Sequence, residues 1–477
     1  MESAPQELVD VAVIGAGTAG LAAYRTAAAV TERVVMIEGG IHGTTCARVG
    51  CMPSKLLIAA GEAAHHAEHA APFGVHATVE VDGRAVMDRV RRERDRFVGF
   101  VLEGVEEIPE DHKVQGRARF VAPGELEVDG PDGKVIRRIK ARSVVIATGS
   151  SPFVPPMFDG LKDRLVVNDD VFAWDALPSS VAVFGAGVIG LELGQALSRL
   201  GVRVTMFGQS GTIGPLTDPA VKASALAAFS EEMTLYPDGG VREVRRVEEG
   251  VEVAFVGLDG EPQVETFEYA LVAAGRKPNL RGIGLEHAGV RLDAKGTPVF
   301  DRMTLQCEAV EGGQAAPVFI AGDANDDVPL LHEASDEGRI AGENAARYPT
   351  VTAGHRRSLL AITFTEPQLA IAGATFASLP DEGELVVGEV SFVNQGRSRI
   401  MLQNRGIGHV YADRVTGRFL GAELVGPRVE HIGHLLAWAH QQELTIDAML
   451  EMPFYHPVVE EGLRTALRDV ATKIEKR

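Results

Sequence analysis

The glycine pattern Gly-x-Gly-x-x-Gly occurs twice in this chain, each time between an apolar run and a helix-like segment. The first copy consists of Gly15, Gly17 and Gly20, and it follows the apolar residues 8–14. Glycines at this spacing make a tight turn, let the backbone approach a pyrophosphate and let the next helix pack closely on the sheet. The following apolar run ends at Glu38, a carboxylate suited to a ribose hydroxyl. The pattern predicts a strand, turn, helix and strand that bind a dinucleotide.

The second copy follows residues 181–184 and consists of Gly185, Gly187 and Gly190. A helix is predicted over the next apolar segment, residues 191–200. Two such units in one chain predict two bound dinucleotides, which is the arrangement needed to pass electrons between cofactors.

The strand predicted over 202–207 does not end at an acid. Gly208 stands where Glu38 stands in the first copy, and Gln209 and Ser210 follow it. An acid would favour the 2′-hydroxyl of NAD, and an arginine would favour the 2′-phosphate of NADP. Because Gln209 or Ser210 can hydrogen-bond a ribose, NAD is predicted here, and NADP stays possible.

Two of the three cysteines, Cys46 and Cys51, are separated by four residues. A close dithiol can cycle between disulfide and thiolates, and the thiolate is the nucleophile of disulfide exchange. Positions i and i+5 of a regular helix lie about 8–9 Å apart at Cα, beyond the roughly 7 Å limit for a disulfide. If the pair bonds, the backbone must distort, and Gly50 permits that; Pro53 suits the first turn of the next helix. The alternative is a pair of buried apolar cysteines.

The composition narrows the class of protein. A chain of 477 residues is too long for one core, and a net charge of −19 disfavours nucleic acid as a partner. No apolar run reaches the roughly 18 residues that span a bilayer, so no membrane partner is expected. The acidic residues 1–7 resemble neither a signal nor a transit peptide. With few cysteines as well, a cytoplasmic location is predicted.

The remaining elements are predicted from apolar periodicity and turn residues. The apolar runs 143–149 and 318–323 end in small residues and are predicted to be parallel strands. A charged helix is predicted over 84–103, followed by a β-meander. From about residue 348 the pattern changes to mixed strands and helices, including an amphipathic helix over 429–442.

The cysteine pair and the doubled glycine unit resemble the pyridine nucleotide-disulfide oxidoreductases, a family of flavoenzymes, over essentially the whole chain. Residues 46–55 match the redox motif of this family, and its other landmarks match residues 147–149, 274–279, 321–323 and 455–461. The chain is most similar to the dihydrolipoamide dehydrogenases. Ser54 stands where glutathione reductases tend to carry lysine, and the C-terminal cysteine pair of mercuric and thioredoxin reductases is missing.

The resemblance implies an α/β fold with two Rossmann-like dinucleotide-binding domains, one for FAD and one for NAD, and a C-terminal α+β dimerisation domain. The implied boundaries are 1–150 and 276–347 for the FAD-binding domain, 151–275 for the NAD(P)-binding domain and 348–477 for the dimerisation domain. The protein is expected to be a homodimer.

The resemblance also assigns roles at the redox site. Cys51 is the flavin-proximal sulfur, and Cys46 is the interchange thiol that meets the substrate. His456 is the general base, and Glu461 holds its imidazole in one tautomer. In the family this histidine reaches across from the other subunit. The alternative is a surface histidine before a helix that starts at Pro457.

Lys55 and Glu192 match the ion pair near flavin N5 of the family, and Asp323 matches the acid that bonds the ribityl chain. The alternatives are a solvated helix acid for Glu192 and a simple turn acid for Asp323. The other cofactor-binding residues implied are Thr45, Lys55, Thr148, Gly149, Gly275 and Arg276.

Four further positions depart from the family pattern. Thr44 stands where the family usually has glycine, and Arg48 stands where asparagine is common. Phe454 and Tyr455 precede the histidine, where the lipoamide enzymes often show His-Ala.

Outside these motifs, two histidine pairs have helical spacing. His65 and His69, and also His431 and His434, could ligate a metal, but solvated helix faces or dimer contacts are favoured, and no metal site is predicted. Cys307 is interpreted as a buried small apolar residue.

The predicted activity is the oxidation of dihydrolipoamide to lipoamide by NAD⁺ through a Cys46–Cys51 disulfide and FAD. The substrate would be a small-molecule or lipoyl-domain dithiol. Alternatives are an NAD(P)H-dependent reductase of another disulfide or of a metal ion, as in glutathione or mercuric reductases, and a flavin diaphorase or transhydrogenase. A non-catalytic assembly protein is the alternative from a different class.

Overall fold

The computed structural model describes residues 6–310, 316–379 and 384–475. The chain divides into two compact units, each assembled from three stretches. The first unit contains Met1–Pro53, Arg91–Phe153 and Arg276–Arg356. The second unit contains Ser54–Val90, Val154–Gly275 and Arg357–Arg477.

The strands of the described residues are β1 (Gln6–Ile14), β2 (Val34–Glu38), β3 (Lys113–Gln115), β4 (Arg117–Ala122), β5 (Glu125–Asp129), β6 (Val135–Ile146), β7 (Ser150–Pro152), β8 (Leu165–Val166), β9 (Ser180–Phe184), β10 (Arg203–Phe207), β11 (Thr234–Tyr236), β12 (Glu243–Val247), β13 (Gly250–Val256), β14 (Pro262–Phe267), β15 (Tyr269–Val272), β16 (Arg276–Pro278), β17 (Val318–Ile320), β18 (Leu360–Thr363), β19 (Gln368–Gly373), β20 (Leu385–Ser391), β21 (Ile407–Asp413) and β22 (Phe419–Gly426).

The α-helices of the described residues are α1 (Thr18–Ala28), α2 (Thr45–Val49), α3 (Cys51–Glu68), α4 (Gly83–Glu106), α5 (Asn168–Val171), α6 (Val188–Arg199), α7 (Pro219–Ser230), α8 (Leu331–Arg347), α9 (Gly396–Ile400), α10 (Val429–Gln441), α11 (Ile446–Leu450) and α12 (Glu461–Glu475). None of these helices is both long enough and apolar enough to cross a membrane.

The main sheet of the first unit has five parallel strands in the order β3-β2-β1-β6-β17. Strand β1 is apolar on both faces because each face is covered. Val11 and Val13 lie in one core, and Ala12 and Ile14 lie in the other. This two-sided burial explains the continuous apolar run that predicted the strand.

Strand β6 is longer than the predicted strand over 143–149. It begins at Val135, where its first half pairs antiparallel with β5 and extends the predicted meander through β4. Polar residues such as Arg137 and Lys140 give this half a different pattern from the apolar second half, because only one face of the meander is buried, and the two halves were predicted as separate strands. The strand predicted in the run 318–323 is β17, which ends at Ile320, and a 3₁₀ turn that begins at Gly322 follows.

The described residues of the second unit form three sheets. The second glycine pattern belongs to five parallel strands in the order β11-β10-β9-β15-β8. Strands β12, β13 and β14 form a small antiparallel sheet. The C-terminal part forms an antiparallel sheet in the order β18-β19-β22-β21-β20, whose apolar core includes residues of α10 and α12. The predicted amphipathic helix corresponds to α10.

Candidate active site

The helix at the cysteine pair is interrupted between the two thiols. Helix α2 ends at Val49, α3 begins at Cys51, and Gly50 between them has φ −128° and ψ −116°. A Cβ on Gly50 would lie 3.1 Å from the carbonyl oxygen of Thr45 and 3.3 Å from Cys46 Cα, so a larger residue would be crowded. The backbone therefore leaves the helical path at the glycine where distortion was expected.

The two cysteines are not a buried apolar pair. Cys46 is half-buried and Cys51 is exposed, whereas Cys307 is buried in an apolar core. Burial raises the pKa of the Cys307 thiol. Since reactive cysteines need access, the accessible pair is the one suited to exchange chemistry, and Cys307 is a core residue as predicted.

Thr44 occupies the position where glycine is usual in the family that the sequence resembles. Its φ is positive, at 58°, with ψ at 151°. Its hydroxyl accepts a hydrogen bond from the amide of Ala47 at 3.2 Å and so caps α2. Thr45, the first residue of α2, is exposed. A β-branched residue is strained at such a φ, so the segment that holds Cys46 carries local strain.

A pocket of about 420 Å³ in the first unit opens beside Cys46. Phe97, Phe100 and Val101 of α4 supply an apolar wall, and Arg25 supplies a cation. A pocket with an apolar wall beside an accessible thiol suits a dithiol on a hydrocarbon chain.

The first glycine turn has the geometry of a dinucleotide cradle. Gly15 has φ +106°, and a side chain there would collide with the carbonyl oxygen of Ala147. A side chain on Gly20 would collide with the carbonyl oxygen of Gly15, whereas the space beside Gly17 is open. Gly15 thus permits the turn, Gly20 permits close packing of the helix, and Gly17 leaves room for the ligand.

Polar groups converge on the same edge of the sheet. Glu38 accepts hydrogen bonds from the amides of Ala16 and Gly40, both at 2.7 Å. The hydroxyl oxygen of Thr148 is buried and has no hydrogen-bond partner among the described residues. A buried hydroxyl of this kind costs free energy unless a ligand satisfies it. These residues therefore fit FAD.

Asp323 lies in a polar cluster that the sequence did not reveal. The hydroxyl of Ser150 donates to Asp323 at 2.6 Å, and the guanidinium of Arg276 donates to the same hydroxyl at 2.9 Å. Gly149, just before Ser150, has φ +67° and open space at its Cβ position. Ser150 was missed because a serine after a strand carries no distinctive signal.

Lys55 and Glu192 are joined in the second unit. The ammonium of Lys55 donates to both carboxylate oxygens of Glu192, at 2.9 and 2.7 Å. The amide of Phe364 donates to Glu192 at 2.9 Å, a contact that the sequence did not predict. Glu192 is only 4% exposed, so the interpretation as a solvated helix acid is wrong.

The second glycine turn repeats the first. Gly185 has φ +117° and faces the carbonyl oxygen of Ala273, Gly190 packs on Gly185, and the space beside Gly187 is open. Gly275, at the end of the unit's parallel sheet, has φ +100° and open space at its Cβ position. The two glycine turns therefore present similar cradles.

His456 and Glu461 form a pair on the tail. Nδ1 of His456 lies 3.2 and 3.0 Å from the two carboxylate oxygens of Glu461, the first residue of α12. The hydrogen bond to His456 lowers the pKa of Glu461. The imidazole is 80% exposed, so it is available to a reactant outside its own unit.

The other histidines have structural surroundings. The rings of His65 and His69 stack at 4.1 Å, and burial, with a smaller effect of Arg199, lowers the pKa of His65 to about 4. His431 is exposed, and Nδ1 of His434 lies 2.7 Å from the carbonyl oxygen of Glu430. Within the described ranges, no group of three or more histidine, cysteine or acidic residues is arranged to hold a metal ion.

Comparison with known proteins connects this geometry to a family. Residues 9–338 match the family model of the pyridine nucleotide-disulphide oxidoreductases, and residues 360–467 match the model of their dimerisation domain. The chain belongs to this family. As a pyridine nucleotide-disulphide oxidoreductase, it is a flavoprotein enzyme that uses FAD and NAD(P).

Relatives of this oxidoreductase match along nearly its whole length. Dihydrolipoyl dehydrogenase of Bacillus subtilis is 30% identical over 473 residues, which cover 96% of this chain and 97% of the relative. Dihydrolipoyl dehydrogenase of Thermus scotoductus is 31% identical and covers 96% of each chain. Mercuric reductase of Streptomyces lividans is 30% identical and covers 98% of this chain and 97% of the relative.

Solved structures agree on the fold. LpdA from Mycobacterium tuberculosis superposes with a TM-score of 0.79 at 24% identity, covering 96% of this chain and 99% of that one. The HOCl-induced flavoprotein disulfide reductase RclA from Escherichia coli gives a TM-score of 0.79 at 20% identity, with the same coverage.

Proposed function

We propose that this oxidoreductase oxidises dihydrolipoamide to lipoamide with NAD⁺, as a cytoplasmic homodimer. The observation that carries the proposal is the accessible Cys46 at the interrupted helix, beside an apolar pocket walled by Phe97 and Phe100. The names of the relatives support the same substrate. The domain boundaries inferred from the motifs, 1–150, 151–275, 276–347 and 348–477, belong to this proposal.

The cysteine pair exchanges electrons with the substrate. One substrate thiolate attacks the sulfur of Cys46 in the oxidised pair, and the disulfide breaks to release Cys51 as a thiolate. The second substrate thiol then attacks the substrate sulfur bound to Cys46. The cyclic disulfide leaves, and both cysteines are reduced.

His456 accepts the proton of the attacking substrate thiol. Glu461 holds the imidazole by Nδ1 and stabilises the imidazolium, so that Nε2 faces the reactant. In this proposal His456 serves the cysteine pair of the partner subunit.

The cofactor residues complete the site. FAD, when bound, would supply the electron transfer between the reduced cysteines and NAD⁺. Glu38 and Thr148 would hold the nucleotide part of FAD, and Asp323 its ribityl chain. Lys55, hydrogen-bonded to the buried Glu192, would lie near flavin N5.

The test is anaerobic addition of dihydrolipoamide and then NAD⁺ to the purified flavoprotein, with NADH formation followed spectroscopically. The wild-type enzyme should reduce NAD⁺, and Cys46→Ser and Cys51→Ser should not. Cys307→Ala is the matched control, because the buried thiol takes no part. Reduction of the flavin by NADH without any response to dihydrolipoamide would reject this substrate and retain the family.

A further inference from the structure

The end of strand β10 explains why the second nucleotide site lacks its usual acid. A Cβ on Gly208 would lie 2.6 Å from the carbonyl oxygen of Pro237, so this position cannot carry a side chain without a backbone shift. The amide of Gly208 donates to Tyr236 at 2.7 Å, and the amide of Gly239 donates to Gly208 at 3.0 Å. The backbones after β10 and β11 are therefore locked together too closely for an acid at 208.

Instead, a carboxylate that follows the neighbouring strand β11 reaches the loop after β10. Asp238 follows β11 by two residues and is exposed. It accepts a hydrogen bond from the amide of Gly211 at 2.7 Å. Its side chain thus contacts the loop after β10, residues 208–211, at Gly211.

The first nucleotide site offers a direct comparison. There the carboxylate of Glu38, at the end of β2, accepts a hydrogen bond from the amide of Gly40 in the loop after that strand, also at 2.7 Å. In both sites a carboxylate is bonded to an amide of the loop that follows the second strand. The second site takes its carboxylate from the turn after β11, the strand that pairs with β10.

We propose that Asp238 is the acidic residue of the second nucleotide site. It accepts a hydrogen bond from the adenosine 2′-hydroxyl of NAD and repels the 2′-phosphate of NADP. Residues 208–211 and 237–240 contain no lysine or arginine that would attract this phosphate. The inference rests on pyridine nucleotide use, not on the identity of the dithiol.

The competing role for Asp238 is to hold the loop only. The substitution Asp238→Asn distinguishes the two roles. The side-chain oxygen of asparagine can still accept a hydrogen bond from the amide of Gly211, while the negative charge is lost. Asp293→Asn is the matched control, since Asp293 is an exposed turn acid that accepts the amide of Lys295 at 2.8 Å.

The experiment measures Kd for NAD⁺ and NADP⁺ by titration calorimetry on the oxidised flavoprotein, with which neither nucleotide reacts, and kcat/KM for NADH and NADPH with a small artificial electron acceptor. Wild-type protein should prefer NADH. In Asp238→Asn the preference should fall about tenfold or more, through weaker binding of NAD⁺ and NADH and tighter binding of NADP⁺ and NADPH. Asp293→Asn should leave it unchanged. Asp238→Ala should lose the preference and also weaken the loop.

Two results would overturn the inference. One is a wild-type preference for NADPH. The other is an unchanged preference in Asp238→Asn together with an equal loss for both nucleotides in Asp238→Ala, which would assign Asp238 to loop structure alone. Neither readout uses dihydrolipoamide, so failure of the proposed substrate would leave this test unaffected.

Discussion

Thr44 adopts a backbone conformation, φ 58° and ψ 151°, that a β-branched residue rarely takes. Strain of this kind costs about 1–3 kcal/mol and is found at functional segments. Here it lies two residues before Cys46. The hydroxyl cap on Ala47 recovers part of the cost.

Replacing Thr44 by glycine should stabilise the protein. The strain is released, and glycine at a helix N-cap loses only a few tenths of a kcal/mol, so a net gain of about 1 kcal/mol is expected. Denaturant unfolding of Thr44→Gly and of the wild-type protein measures this difference in the free energy of unfolding. Thr45→Gly, one residue on and inside α2, should instead be destabilised, and an equal loss in both variants would contradict the argument.

Glu192 is the residue that keeps Lys55 paired. Glu192→Gln retains an acceptor for the Phe364 amide but leaves the Lys55 ammonium without its counter-ion. We expect a loss of about 1–3 kcal/mol in the free energy of unfolding, together with slower flavin reduction by NADH. Unfolding and stopped-flow measurements check this. Glu231→Gln, at an exposed acid of the same unit, should change neither.

At the scale of elements, the start of α12 holds the imidazole of His456 through Glu461. Glu461→Gln should lower kcat for dithiol oxidation about 10- to 100-fold, because general-base catalysis is weakened. Flavin reduction by NADH does not use the histidine and should be unchanged. Steady-state and stopped-flow rates distinguish the two steps. Glu460→Gln, at the adjacent acid, serves as control; equal losses in both steps would indicate a structural defect.

Helix α7 begins at a buried polar network. Asp218 caps the helix through the amide of Ala220 at 2.9 Å and accepts the hydroxyl of Tyr411 at 2.9 Å. His409 lies between Asp218, at 2.7 Å, and Glu389, at 3.1 Å. Burial disfavours the charge on His409, but these hydrogen bonds outweigh it and raise the pKa of His409. Burial likewise opposes ionisation of Asp218, but hydrogen bonds from His409 and Tyr411 lower its pKa.

This network should make stability depend on pH. Because the pKa of His409 is raised on folding, its protonated form stabilises the fold fully below the unfolded pKa of about 6.5, and this contribution is lost as pH rises through the folded pKa. His409→Gln should therefore be destabilised by about 2 kcal/mol near pH 6 and by less near pH 9. Melting temperatures across this range measure the difference. The same difference at every pH, or an equal pattern in the exposed His431→Gln, would contradict this.

At the scale of the whole molecule, the proposed site needs Cys46 of one subunit and His456 of the other. Cys46→Ser and His456→Ala homodimers should each be inactive with dihydrolipoamide. Random reassociation of the two should restore about a quarter of wild-type activity, because half of the dimers are mixed and each mixed dimer has one intact site of two. Activity after subunit exchange measures this. No recovery, with mixed dimers demonstrated, would place both residues in one subunit.

Much of the fold followed from local pattern. The glycine turns, the strands that flank them, and helices α4 and α10 were predicted, because apolar periodicity and turn residues specify them within a few neighbours. The sequence did not predict that the last strand of the meander and the strand over 143–149 are one continuous strand, β6, because its first half is buried on one face only and so differs in pattern from its second half.

The sequence by itself determined where the chain turns, which cysteines lie close together and where the helix between them breaks at Gly50. These features depend on residue types within a few positions. Only the tertiary structure decided which distant side chains meet, such as Asp218 with His409, 191 residues apart, and Asp238 with the loop after β10. Such contacts depend on how elements that are far apart in the chain pack together, and the residue types within a few positions do not specify that.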